Sequence, residues 1–155
     1  MPSPRVAAIH IAPDAGTLPQ SVVSVRAVAG KGLEGDRYYQ RIGTFSKKDR
    51  PAREVTLIEA EALEALAQDY GLELPPGATR RNITTEGVAL NHLVGRTFQV
   101  GEATLRGIQL CEPCSHMERL TGREGVKRGL VHRGGLNAEV MTDGTIRVGD
   151  RIMVD

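Results

Sequence analysis

Two cysteines stand close together in Cys111-Glu112-Pro113-Cys114, directly after a strand-like run from Thr104 to Leu110. A thiolate is both a nucleophile and a soft metal ligand. At a strand end it can face a cleft while the strand holds it in place. The alternative is that both thiols are buried as small apolar residues. That fits less well with the C-x-x-C spacing and with Ser115 and His116 beside it. A structural zinc site would need two more ligands from His10, His92, His116 or His132, and no second C-x-x-C is present. A thioredoxin-like redox motif needs a βαβ setting with the cysteines at a helix start, and the pattern around this pair is β-rich.

Three other segments carry chemistry. Thr79-Arg80-Arg81-Asn82-Ile83 sets two arginines and an amide before a strand. Arginine suits bidentate recognition of phosphate, and asparagine can meet donors and acceptors on a heterocycle. An ordinary solvated edge is the other reading. Gly30-Lys31-Gly32-Leu33-Glu34-Gly35-Asp36-Arg37-Tyr38 has glycines spaced to turn tightly and present N–H groups to an anion. It lacks the ending of a P-loop and the spacing of a dinucleotide fingerprint, and a plain turn would also account for it. His132, before Arg133-Gly134-Gly135, has the chemistry of a general acid or base, or is a structural histidine.

The elements that must position these groups are mostly short strands punctuated by 18 glycines and 8 prolines. Strand-like runs cover Val6 to Ile11, Ser21 to Val28, Arg53 to Ile58, Asn82 to Thr85, Arg96 to Val100, Ala103 to Leu110, Asn137 to Met141 and Thr145 to Val154. In the second run Val23, Val25 and Ala27 share one face. The spacing predicts a hairpin from Thr97 to Leu105 around Gly101-Glu102, and another turn at Asp143-Gly144. One main helix is predicted over Ile58 to Tyr70, with Leu63, Leu66, Ala67 and Tyr70 on one stripe. Thr56 and Glu59 fit a capping box, and Gly71 the residue after the helix. A weaker helix spans Arg123 to Val131. The charged stretch from Asp36 to Arg53 reads as a long loop. The fold class is mostly β (α+β), a compact barrel or sandwich with small helices.

Bulk properties narrow the function. The 155 residues suit one domain, residues 1–155, with an aliphatic core, since only 3% are aromatic and there is no Trp. Lys and Arg number 20 against 19 Asp and Glu, a net charge of +1, so nucleic acid is not an expected partner. No long apolar run or signal-like start is visible, and a cytoplasmic protein is expected. Two cysteines are too few for a disulfide framework, so if they matter, they matter as thiols.

Read in order, the segments resemble the MOSC family, named after the C-terminal part of molybdenum-cofactor sulfurases. The resemblance runs through Gly35-Asp36-Arg37-Tyr38, Arg53 to Glu59, Arg80-Arg81-Asn82-Ile83, Gly95 with Gly101, Leu110 to Cys114, and Gly144 to Asp150. It implies a compact β-barrel-like fold. It also implies a cysteine that ligates molybdenum or carries sulfur as a persulfide, best matched by Cys114. An Arg-x-Asn element for the molybdenum cofactor's pterin and phosphate matches Arg80 and Asn82, with Arg81 between them. Asp36 and Arg37 are implied as a loop lining the same cleft. The resemblance leaves three roles open. One is a cofactor-dependent reductase of N-hydroxylated compounds with an external electron-transfer partner. A second is a sulfur carrier loaded by a cysteine desulfurase, and a third is a binding module with inert thiols. The extra N-terminal barrel of the larger reductases and the pyridoxal-phosphate domain of the sulfurases are not expected in this chain.

Overall fold

The computed structural model describes residues 3–14, 18–37, 39, 54–74, 77–111 and 124–154. Its strands are β1 (Arg5–Ile11), β2 (Gln20–Val22), β3 (Ser24–Val28), β4 (Gly32–Leu33), β5 (Val55–Glu59), β6 (Ile83–Glu86), β7 (Thr97–Val100), β8 (Ala103–Leu110), β9 (Leu136–Thr142), β10 (Gly144–Arg147) and β11 (Ile152–Val154). Eight form one sheet in the order β11-β7-β8-β9-β5-β6-β1-β2, and β10-β3-β4 form a second. The mostly β class holds. A bridge between Arg5 and Arg151 brings the start of β1 to the start of β11, but among the described residues no ladder closes the large sheet into a barrel.

Among the described residues, two apolar clusters hold the fold. The larger, including Ile9, Ala27, Leu57, Ile83, Phe98, Leu105 and Ile146, draws on strands of both sheets. The smaller joins Ile58 to Ala62, Leu66, Val126 and Leu130 on helices α1 (Ala60–Tyr70) and α2 (Val126–Gly129). Strand β5 explains the division. Val55, Thr56, Leu57 and Ile58 are all buried, the pattern of a strand covered on both faces. It pairs in parallel with β6 after the crossover through α1, and antiparallel with β9. The sheet centre therefore carries β5, β6 and β9, and the functional segments lie at their ends.

Several elements depart from the sequence pattern. Ser21 to Val28 is not one strand. It breaks at Val23, which is 79% exposed, while Val25 and Ala27 are buried. Strand β2 then pairs with β1 in the large sheet and β3 with β10 in the small one. Asp143-Gly144 does not close a hairpin. β9 stays beside β8 and β5, while β10 crosses to β3. The Asp143 carboxylate accepts from the N–H of Ala29 (2.7 Å), so it ties that crossing to the end of β3. Thr145 to Val154 splits into β10 and β11. The hairpin from Thr97 to Leu105 is present, with Val100 opposite Ala103.

Helix α1 begins at Ala60, and its predicted capping box does not form. Thr56 bonds Asn82, and Glu59 accepts from the N–H of Leu90 (2.9 Å). Gly71 does close the helix in a left-handed conformation (φ 65°), its N–H meeting the carbonyl of Ala67 at 3.0 Å. The stripe is centred on Ala62 and Leu66, and Tyr70 is 46% exposed. The second helix is confined to Val126–Gly129 among the described residues. Most of the stretch from Asp36 to Arg53 lies outside them. No helix is long and apolar enough to cross a membrane among the described residues.

Candidate functional site

Asn82 sits at the start of β6 and is buried. Its Nδ2 donates to the carbonyl of His10 (3.1 Å) and to Oδ1 of Asp36 (3.2 Å). Its Oδ1 accepts from the N–H of Thr56 (3.0 Å) and from the Thr56 hydroxyl (3.1 Å). Two donors and two acceptor positions are all an amide has, so the group is fully engaged. Asp36, also buried, accepts at the same oxygen from the N–H of Ala12 (2.9 Å). The next residue, Arg37, donates its N–H to the carbonyl of Ala12 (2.8 Å). The Gly35-Asp36-Arg37 turn is thereby locked onto the end of β1 and the start of β6. Asp36 and Asn82, both expected to line a cleft, are thus brought together as a buried pair that sets the position of their arginine neighbours.

Arg81 is half-buried and spans three segments. Nε donates to the carbonyl of Gly134 (2.7 Å), Nη1 to that of Thr79 (3.4 Å) and Nη2 to that of Cys111 (3.2 Å). A guanidinium carries five N–H groups, so two remain for a ligand. Cys111 is half-buried at the end of β8, and its N–H donates to the carbonyl of Gly135 (2.8 Å). Gly135 has φ +119°, and a Cβ there would collide with the carbonyl oxygen of Leu57 and crowd Nε of Arg81. Only glycine lets these strand ends and the guanidinium come so close. Arg80 has a left-handed backbone (φ 63°) and reaches the carbonyl of Asp14 with Nη2 (3.2 Å). Cys114, Ser115, His116, Tyr38 and Arg53 lie outside the described residues.

Among the described residues, two cavities flank this corner. One, of about 250 Å³, is lined by His10, Gly77, Thr79, Arg81, Thr84 and Leu63, among others. His10 is buried with neither ring nitrogen partnered among the described residues, and burial lowers its pKa. The other, of about 230 Å³, lies across Gly135 and is lined by Glu59, Asn91, His92 and Arg133 as well. His132 adopts φ 63°, and its carbonyl accepts from Nδ2 of Asn91 (2.8 Å). The sequence pattern marked Glu59 only as a cap and His10 only as a distant zinc ligand. Among the described residues no three of His, Cys, Asp and Glu converge as metal ligands would.

A family model, the MOSC domain, matches residues 22–153. The chain belongs to the MOSC domain family. This family is linked to molybdenum-cofactor binding. Solved structures agree on the fold. The YuaD protein of Bacillus subtilis superposes with a TM-score of 0.78 at 18% identity, covering 99% of this chain and 98% of that one. YiiM of Geobacillus stearothermophilus gives 0.74 at 15%, covering 98% and 75%. YiiM of Escherichia coli gives 0.68 at 19%, covering 97% and 69%. No curated protein matches the sequence significantly. In this MOSC domain the Arg-Arg-Asn element and the foot of the C-x-x-C segment meet through one guanidinium.

Proposed function

We propose that this MOSC domain binds the molybdenum cofactor, with Cys114 as the protein's sulfur ligand to the metal. The observation that carries this is the bond from Arg81 to the carbonyl of Cys111. It joins a cationic group with unspent donors to the chain three residues before Cys114. The donor set suits such a group. A guanidinium recognises phosphate in a fixed fork, and a cofactor that brings its own sulfur ligands asks the protein for few others. Arg81 is assigned to the phosphate end, with Arg80 and Arg37 as further cations at the same corner. Asn82 and Asp36 hold these arginines in register, and a pterin edge is assigned to the polar backbone and side chains beside Asn82. When bound, the cofactor supplies the redox chemistry, and the protein supplies binding and orientation.

The substrate class proposed is an N-hydroxylated compound, with electrons from a separate donor protein. A second reading shares the same residues. Cys114 accepts sulfane sulfur from a desulfurase and passes it on, its thiolate favoured by a nearby cation such as Arg81.

Metal analysis of protein from a molybdate-replete host tests the first reading. Molybdenum is expected in the wild type and in Cys111→Ser, and is expected to be lost in Cys114→Ser. Equal metal in wild type and Cys114→Ser would remove the ligand role. Cyanide-releasable sulfur that disappears with Cys114→Ser, in protein lacking molybdenum, would favour the carrier.

A further inference from the structure

The cavity across Gly135 holds two opposite charges that do not meet. Glu59 and Arg133 both line it, yet no ion pair joins them. Each is anchored elsewhere. One oxygen of Glu59 accepts from the N–H of Leu90 (2.9 Å), and Arg133 Nη2 reaches the carbonyl of Glu61 (3.5 Å). Asn91 is fixed too, by its bond to the carbonyl of His132. The second Glu59 oxygen and four of the five Arg133 N–H groups have no hydrogen-bond partner among the described residues, and the cavity that the two residues line has a volume of about 230 Å³. His92, an exposed imidazole, stands on the same wall.

A carboxylate and a guanidinium that line one cavity without pairing complement a ligand carrying both charges. The cation of the ligand meets Glu59 and its anion meets Arg133 in charge-assisted bonds. A ligand with one charge would leave the other protein group without its partner. We propose that this cavity binds a free α-amino acid, its ammonium on Glu59 and its carboxylate on Arg133, with the side chain toward Asn91 and His92. The inference uses no part of the molybdenum reading and stands or falls separately from it.

Backbone amide NMR of the full chain tests it, with the free L-amino acids as probes at about 10 mM, well above a millimolar Kd. At least one is expected to shift the signals of Leu90, Asn91 and Gly135. Its methyl ester and its N-acetyl form, each lacking one charge, are expected to bind about tenfold more weakly or worse. Glu59→Gln keeps an acceptor for Leu90 and Arg133→Met is on the surface, so both variants should fold. Each is expected to weaken binding by a similar factor. No shift with any amino acid, equal binding of the ester and N-acetyl forms, or unchanged affinity in both variants would overturn the proposal.

Discussion

Asn82 Nδ2 donates to Asp36 Oδ1 at 3.2 Å, fastening the Gly35-Asp36-Arg37 turn to the start of β6. Asn82→Ala would strip partners from the Thr56 N–H, the Thr56 hydroxyl and the carbonyl of His10 at once. A loss of about 3 kcal/mol is expected, since each buried unsatisfied group costs about 1–3 kcal/mol. Urea unfolding measures it. A change under 1 kcal/mol, on the same scale, would mean that water replaces the amide.

Arg81→Lys keeps the charge but loses the fork that reaches Gly134, Thr79 and Cys111 together. The expected destabilisation is about 1–2 kcal/mol. Under the proposed function, bound molybdenum should fall several-fold while Cys114 remains intact. Full metal content in this variant would separate Arg81 from cofactor binding.

Gly135→Ala places a Cβ against the carbonyl of Leu57 with φ at +119°. Steric collision and left-handed strain together should lower stability by about 3 kcal/mol or more. Because Gly135 also accepts from the N–H of Cys111 and lines the second cavity, amide signals on both sides should move. Thermal unfolding and an amide spectrum read the two effects.

His10 is buried, and that burial lowers its pKa from the ordinary 6.5. The unfolded chain therefore binds the proton more readily than the folded one. This contribution to stability is present above about pH 6.5 and is lost as pH falls through the lower folded value. A single such group gives a slope of at most about 1.4 kcal/mol per pH unit. His10→Leu removes two unpartnered nitrogens and should flatten the acid side of the stability profile with little loss at neutral pH. An unchanged acid slope would rule His10 out as its source.

Local signals carried well where local geometry decides. The hairpin at Gly101-Glu102 formed as its spacing requires, and Gly71 closed the helix, because both need only a backbone conformation that glycine supplies. They failed where a distant partner competed. Thr56 and Glu59 have the capping-box spacing, but Asn82 and the N–H of Leu90 took their side chains. Asp143-Gly144 has the residues of a hairpin turn, but the strand after it gained more by pairing with β3 in the second sheet.

By itself, the order of motifs along the chain was enough to determine the family and the mostly β class, since strand periodicity and glycine turns are written residue by residue. It also singled out Arg80, Arg81, Asn82, Asp36 and Arg37 as one group. Only the tertiary structure decided their division of labour. Whether an amide is spent inside the protein, as at Asn82, or a guanidinium keeps free donors, as at Arg81, depends on partners up to 72 residues away. The cavity that Glu59 and Arg133 share has no sequence signature at all, because a cavity is a property of packing between elements and not of spacing along the chain.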